Sequence, residues 1–191
     1  MSRKFYFDYD AFHRFMQEPE NIRPLLEGLL ETSITKITPA PTHQILGAHV
    51  HAFTRDGLTY DISLQLVEEY DLGKRLRASQ AIMDRDFLNP DNLEDETLKS
   101  CIIFICTDDP LGGGKAVRRI GRVISTLGNT PFDDGSSAFI LNMSFTEANA
   151  APDVCDFLRW VNAGGTSEGC GVASSLYLAQ LDKAVPEIHE K

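Results

Sequence analysis

Ala48-His49-Val50-His51-Ala52-Phe53-Thr54-Arg55-Asp56-Gly57-Leu58-Thr59-Tyr60-Asp61-Ile62-Ser63-Leu64-Gln65 is the stretch whose reading decides the fold. Asp56-Gly57 is a dipeptide that tolerates the positive φ of a tight turn, and it separates two runs of alternating polar and apolar residues, so the stretch reads as a β-hairpin. Strand side chains alternate between faces. His49 and His51 therefore share one face of the first strand, and Asp61, Ser63 and Gln65 share one face of the return strand. Val50, Ala52, Ile62 and Leu64 take the opposite side, which gives the hairpin a polar and an apolar face.

Working upstream, Phe7 to Met16 reads as a helix, with Asp8 or Asp10 near its start and Phe12, Phe15 and Met16 on one stripe. Pro19 suits the opening turn of a second helix running to Ile34, since its missing N–H has no partner there anyway. Ile22, Leu25, Leu26, Leu29 and Leu30 form the apolar stripe, opposite Glu20, Arg23, Glu27 and Glu31. Thr35 to Thr42 holds Pro39 and Pro41, whose fixed φ and absent donors predict a loop.

Downstream, Leu72, Leu76, Ile82, Met83 and Phe87 place a helix over Asp71 to Phe87, lying across the sheet. Asn89 to Leu98 is acidic, contains Pro90 and reads as an exposed connection or short helical turn. Cys101 to Cys106 is an unbroken apolar run of strand length, the pattern of a central strand buried on both faces. Gly112-Gly113-Gly114-Lys115-Ala116 fails as a phosphate loop, because Asp109 stands where the first glycine belongs and Ala116 where a hydroxyl should bind magnesium. It reads as a flexible turn. Ser137 to Asn142 is another strand. Pro152 opens a helix that holds Trp160 and stops at Gly164-Gly165, Val172 to Leu181 is a closing helix, and Pro186 to Lys191 is expected to fray.

A chain of 191 residues with 42% apolar content suits one domain over 1–191, with a helical C-terminal segment from about 152. The formal charge of −10, from 28 acidic against 18 basic side chains, opposes a DNA-binding surface, which needs positive potential to displace counterions. It favours a basic partner instead, nucleic-acid-handling proteins included. The local exceptions are Lys74, Arg75 and Arg77 on the downstream helix, and Lys115, Arg118 and Arg119 after the glycine turn. These are candidate binding residues whose competing reading is a solvated, ion-paired face or a charged edge strand. Cys101, Cys106, Cys155 and Cys170 form no Cys-x-x-Cys pair and read as reduced structural thiols. No run nears the ~20 apolar residues that cross a bilayer, and the N-terminus does not read as a targeting peptide, so a cytoplasmic location is expected.

The frame Gly57-Leu58-Thr59-Tyr60-Asp61-Ile62-Ser63-Leu64-Gln65 resembles the Gly-x-x-Tyr-Asn/Asp-Ile-Glu-Met-Gln signature of the PD-(D/E)XK nuclease family transposases, the Rpn-type recombination-promoting nucleases. The resemblance continues through Leu72-Gly73-Lys74-Arg75-Leu76-Arg77, Met83-Asp84-Arg85-Asp86-Phe87-Leu88, Ile102 to Gly112, Asp134-Gly135 with Phe139-Ile140-Leu141-Asn142, and Phe157-Leu158-Arg159-Trp160-Val161-Asn162. It covers roughly Phe12 to Glu168 in order. It implies an α/β fold with a restriction-endonuclease-like core, a mixed central β-sheet flanked by α-helices.

The departures carry the functional reading. Where the family has its catalytic glutamate this chain has Ser63, and the family's metal-binding aspartate falls on His49; Ala78 and Ser79 replace two aromatics. Nucleases of this core hold Mg²⁺ on carboxylates projecting from adjacent strands, with a third group positioning water. Of that set only Gln65 remains, with Asp61 beside it. The resemblance therefore implies a nuclease-like protein that has lost catalysis, has no cofactor and acts by binding. One form is an acidic phage or mobile-element protein that inhibits a nucleic-acid-binding defence complex. The alternative is an active Mg²⁺-dependent DNA endonuclease that recruits Asp61, Glu27 or Glu31 and takes DNA as its partner. His49, His51 and Asp61 also have residue types that bind Zn²⁺ or Mn²⁺. With His43 placed in the preceding loop, however, the pattern reads as polar histidines in a degenerate pocket rather than a metal site.

Overall fold

Alternation along 48–65 produces the expected pair, β2 (Ala48–Thr54) and β3 (Thr59–Val67), antiparallel with Val50 opposite Ile62 and Ala48 opposite Leu64. The turn is wider than the Asp-Gly dipeptide: Thr54 N–H bonds the carbonyl of Leu58, and Gly57 takes φ 86°. The computed structural model describes residues 9–40, 47–68, 71–88, 91, 95–171 and 175–189. The elements ahead of the hairpin are α1 (Tyr9–Gln17), α2 (Pro19–Leu30) and β1 (Ile34–Pro39). After it come α3 (Leu72–Phe87), β4 (Leu98–Cys106), β5 (Val117–Ile120), β6 (Arg122–Ile124), β7 (Thr130–Phe132), β8 (Ser136–Asn142), α4 (Pro152–Asn162) and α5 (Leu176–His189).

Six strands form one mixed sheet in the order β1-β2-β3-β4-β8-β5. β4 lies parallel to β3 on one side and to β8 on the other, joined to β3 by the crossover through α3. Every residue from Ser100 to Cys106 is buried, as a central strand with both faces covered requires. Its odd positions Cys101, Ile103 and Ile105 join Val50, Ala52, Ile62 and Leu64 in a core closed by α1, α2, α4 and α5. Its even positions Ile102, Phe104 and Cys106 face Leu72 and Met83 of α3 in a second, smaller core. The chain is thus the expected α/β fold, a mixed central sheet between helical layers, consistent with a restriction-endonuclease-like core.

Several local expectations are corrected. α2 ends at Leu30, because Glu31 adopts a left-handed φ of 55° and turns the chain, so that Ile34 begins a strand instead of closing a helix. β1 then replaces most of the loop expected over Thr35 to Thr42. Pro39 is its last residue on the outermost strand, where an absent N–H interrupts no ladder on a second side. The backbone of α5 stays helical through Pro186 to His189, where fraying was expected; one missing N–H removes a single bond and does not end the helix. β6 and β7 were not anticipated. They form a separate two-stranded arm whose Val123, Leu127 and Phe132 are exposed. Phe7, Asp8, Pro41, Thr42, His43, Asn89, Pro90, 172–174 and 190–191 lie outside the described residues.

Gly47 shows how tightly β2 is seated. It enters the strand at φ 130°, and a Cβ there would overlap the carbonyl oxygen of Leu64 on β3. Gly47→Ala combines backbone strain with that overlap and is expected to cost on the order of 3 kcal/mol. A lowered urea midpoint with unchanged slope would register it.

Candidate functional site

The register that buries Val50 against Ile62 also sets His49 opposite Ser63 and His51 opposite Asp61, while Asp61 lies beside Ser100 of β4. The two positions at which the resemblance expects acids are therefore direct cross-strand partners. Their shared face does not look into solvent. α3 lies over it, leaving His49 4% and Asp61 1% exposed, with Ser63 and Gln65 equally enclosed.

A buried carboxylate needs compensation, and here two imidazoles supply it. His49 Nε2 lies 2.5 Å and His51 Nε2 3.1 Å from the same oxygen of Asp61, Oδ1. Burial alone would raise the Asp61 carboxyl, but hydrogen bonds from His49 and His51 outweigh it and hold the group below its ordinary value. The His49 and His51 rings meet edge-on at 5.9 Å, and Phe87 of α3 lies 5.9 Å from the half-buried His51 ring. The ligating atoms of His49, His51 and Asp61 all lie within 4.8 Å of one another.

Four residues along the strand from Asp61, Gln65 is engaged through both ends of its amide. Its amide nitrogen donates to Ser63 Oγ at 3.0 Å and Ser79 Oγ at 2.9 Å, and its oxygen accepts from Arg75 Nε at 2.9 Å. Ser79, noted in the sequence only as a lost aromatic, is the α3 residue that makes this possible. A second polar bridge joins the same helix to β4: Gln80 donates to Asp84 Oδ1 at 2.7 Å and to Ser100 Oγ at 2.8 Å. Gln80 and Ser100 were not singled out from sequence, and Ser79 and Asp84 were given no bonding role there. The spacings Arg75/Ser79 and Gln80/Asp84, each one helical turn, are the signal that would have found the α3 residues, whereas nothing in the sequence marks Ser100 of β4. Beside this bridge a cleft of about 390 Å³ opens between α3 and β8, lined by Arg77, Gln80, Asp84, Arg122 and Ser136 among others.

The remaining candidates are dispersed. Glu27 accepts the N–H of Ile34 at 2.8 Å, and α2 packs on the sheet face opposite Asp61; Glu31 is exposed at the end of that helix. Neither is brought to the polar face. Lys74 pairs with Asp71 at 2.8 Å and Arg77 is exposed on α3. Lys115 faces Glu147 at 3.7 Å, Arg118 donates to the carbonyl of Gly112, and Arg119 lies over the Phe139 ring at 5.9 Å. The last two belong to β5, the sheet's edge strand. The two groups of cations thus sit on separate elements, each with intramolecular partners among them. All four cysteines are free, and burial pushes the Cys101 thiol up to about 12 and Cys106 to about 11, which removes thiolate chemistry at neutral pH.

Mg²⁺ demands hard oxygen ligands in near-octahedral array. The cluster offers one carboxylate and two imidazoles, so the donor set does not fit the ion that the nuclease resemblance implies. Among the described residues no helix is long and apolar enough to cross a membrane. Compared with known proteins, the chain matches no family model, no curated protein and no solved structure.

Proposed function

We propose that this protein is a nuclease- or transposase-like descendant that no longer cleaves and acts by binding. One observation carries the reading: on the buried face where phosphodiester cleavage would need two carboxylates, His49 stands opposite Ser63, and Gln65 is committed to Ser63, Ser79 and Arg75. A glutamine held by three partners is not available to orient an attacking water. The net charge of −10 then favours a basic, nucleic-acid-binding protein over naked DNA as the partner. An acidic phage or mobile-element inhibitor that occupies the positive groove of a defence complex is the concrete form of this proposal. The competing reading, an active endonuclease that recruits Asp61, Glu27 or Glu31, is weakened for the two glutamates by the position of α2 on the opposite face of the sheet, which leaves Asp61 as the one carboxylate of that set on the polar face.

A plasmid-nicking assay tests the proposal. Supercoiled DNA is expected to remain intact with Mg²⁺ or Mn²⁺, and duplex DNA to show no retardation at physiological salt. Metal-dependent nicking that disappears in Asp61→Asn would sink the binding reading.

A further inference from the structure

The polar face lacks the ligands for magnesium, yet His49, His51 and Asp61 converge there on one point. We infer that His49, His51 and Asp61 form a site for a single zinc-type transition-metal ion, supplying three ligands from among the described residues. This stands apart from the proposed function, since it concerns an ion bound in place of the ancestral one and holds whether or not a partner is found.

The geometry comes from the strand register. Residues 49 and 51 project from one face of β2, and Asp61 is the cross-strand partner of His51, so both imidazoles turn their Nε2 atoms to the same carboxylate oxygen at 2.5 and 3.1 Å. With Zn–N and Zn–O bonds of about 2.0–2.2 Å, tetrahedral ligand atoms stand roughly 3.3 Å apart. The His51–Asp61 separation of 3.1 Å is already close to that spacing, and no pair in the set exceeds 4.8 Å. Seating an ion therefore takes side-chain rotations, with His49 and Asp61 parting by about 0.8 Å from their hydrogen-bonded distance.

The donor chemistry selects the ion. Two imidazole nitrogens and one carboxylate oxygen suit zinc and its neighbours and disfavour magnesium and calcium, which want oxygen alone. Three protein ligands are also the number found in zinc sites that take a solvent or substrate oxygen. Burial supplies the preorganisation. His49 and Asp61 are held between the sheet and α3, while the His51 side chain beside Phe87 is 29% exposed. On binding, each imidazole presents its Nε2 lone pair to the ion, the proton there moving to Nδ1 in a neutral ring or to solvent in a protonated one, and the ion takes over as the partner of Asp61.

The test uses the full chain, stripped with chelator, dialysed and titrated with ZnCl₂ against a chromophoric competitor, with Co²⁺ as an optical probe. One equivalent of zinc is expected, unaffected by excess Mg²⁺, and Co²⁺ is expected to give the intense visible bands of a four-coordinate site. His51→Ala should weaken zinc by about 100-fold or more, beyond the 10–100-fold typical of outer-shell partners. His51 is the most accessible of the three ligands, so this variant should retain the wild-type circular dichroism. His51→Cys, which restores a ligand atom, should recover most of the affinity. The inference is overturned if the folded wild type takes up no zinc, or if one equivalent binds as tightly after His51→Ala. Both outcomes are read without reference to nuclease activity or partner capture, so they leave the proposed function separately testable.

Discussion

The double variant His49→Asp/Ser63→Glu is expected to be several kcal/mol less stable than the wild type in EDTA and to recover a large part of that loss in Mg²⁺. The two side chains are direct cross-strand partners, 4% and 0% exposed, and stand on the face that already holds Asp61. Introducing two more carboxylates there, while removing the imidazole nearest Asp61, places like charges together out of water, where each unpaired ion costs several kcal/mol. A divalent cation reverses the sign of the problem, because three converging carboxylates form the hard-oxygen donor set that the wild type lacks. At a concentration 100-fold above its dissociation constant such an ion stabilises the fold by about 2.7 kcal/mol. Urea titrations with and without Mg²⁺ measure the effect, and the wild-type midpoint should not move between the two. Equal midpoints for the double variant in EDTA and in Mg²⁺ would mean that residues 49 and 63 do not stand where a nuclease would place its metal ligands.

On the other face of the sheet, Trp160→Ala is expected to cost about 3–5 kcal/mol, the range for deleting a large enclosed aromatic. Trp160 is completely buried, stacks on Phe15 with ring centroids 5.0 Å apart, and touches Phe157. Its indole N–H donates to Asp182 at 2.9 Å, and the same carboxylate also takes the backbone N–H and hydroxyl of Ser167. One ring therefore joins α1 and α4 by packing and α4 to α5 by a hydrogen bond. Trp160→Phe keeps most of the packing and should lose only about 1–2 kcal/mol. Thermal or urea unfolding separates the two variants. Comparable losses in both would mean that the hydrogen bond to Asp182, not the filled volume, holds these helices together.

How much of this was readable beforehand depends on the kind of signal each residue sends. The hairpin and β4 were clear because period-2 alternation and an unbroken apolar run are direct records of which faces are covered. The placement of His49, His51 and Asp61 on the polar face of the hairpin followed from that alternation, but their bonding to one another and their enclosure did not. Alternation says that two faces differ, not that a helix carrying Arg75, Ser79 and Gln80 will close over the polar one. β1 was hidden by Pro39, which reads as a strand breaker anywhere but at the rim of a sheet. The end of α2 was hidden because apolar residues recur past Leu30, while a left-handed Glu31 leaves no mark in the pattern. β6 and β7 are three residues each and largely exposed, so no periodicity could mark them. The basic residues were visible as charge, whereas their dispersal between α3 and the β5 edge is a matter of topology alone.

The strand order also sets a timetable for synthesis. β4 can add to β3 as soon as it leaves the ribosome, but its other edge is filled by β8, which follows β5, β6 and β7 in the chain. Until Ser136–Asn142 emerges, the most apolar ribbon in the protein stands with a row of unmet amides and carbonyls, open to any neighbouring chain. Chaperone demand and losses to inclusion bodies should concentrate in that interval, and truncations ending between Cys106 and Ser136 should be insoluble even though they contain the whole histidine cluster.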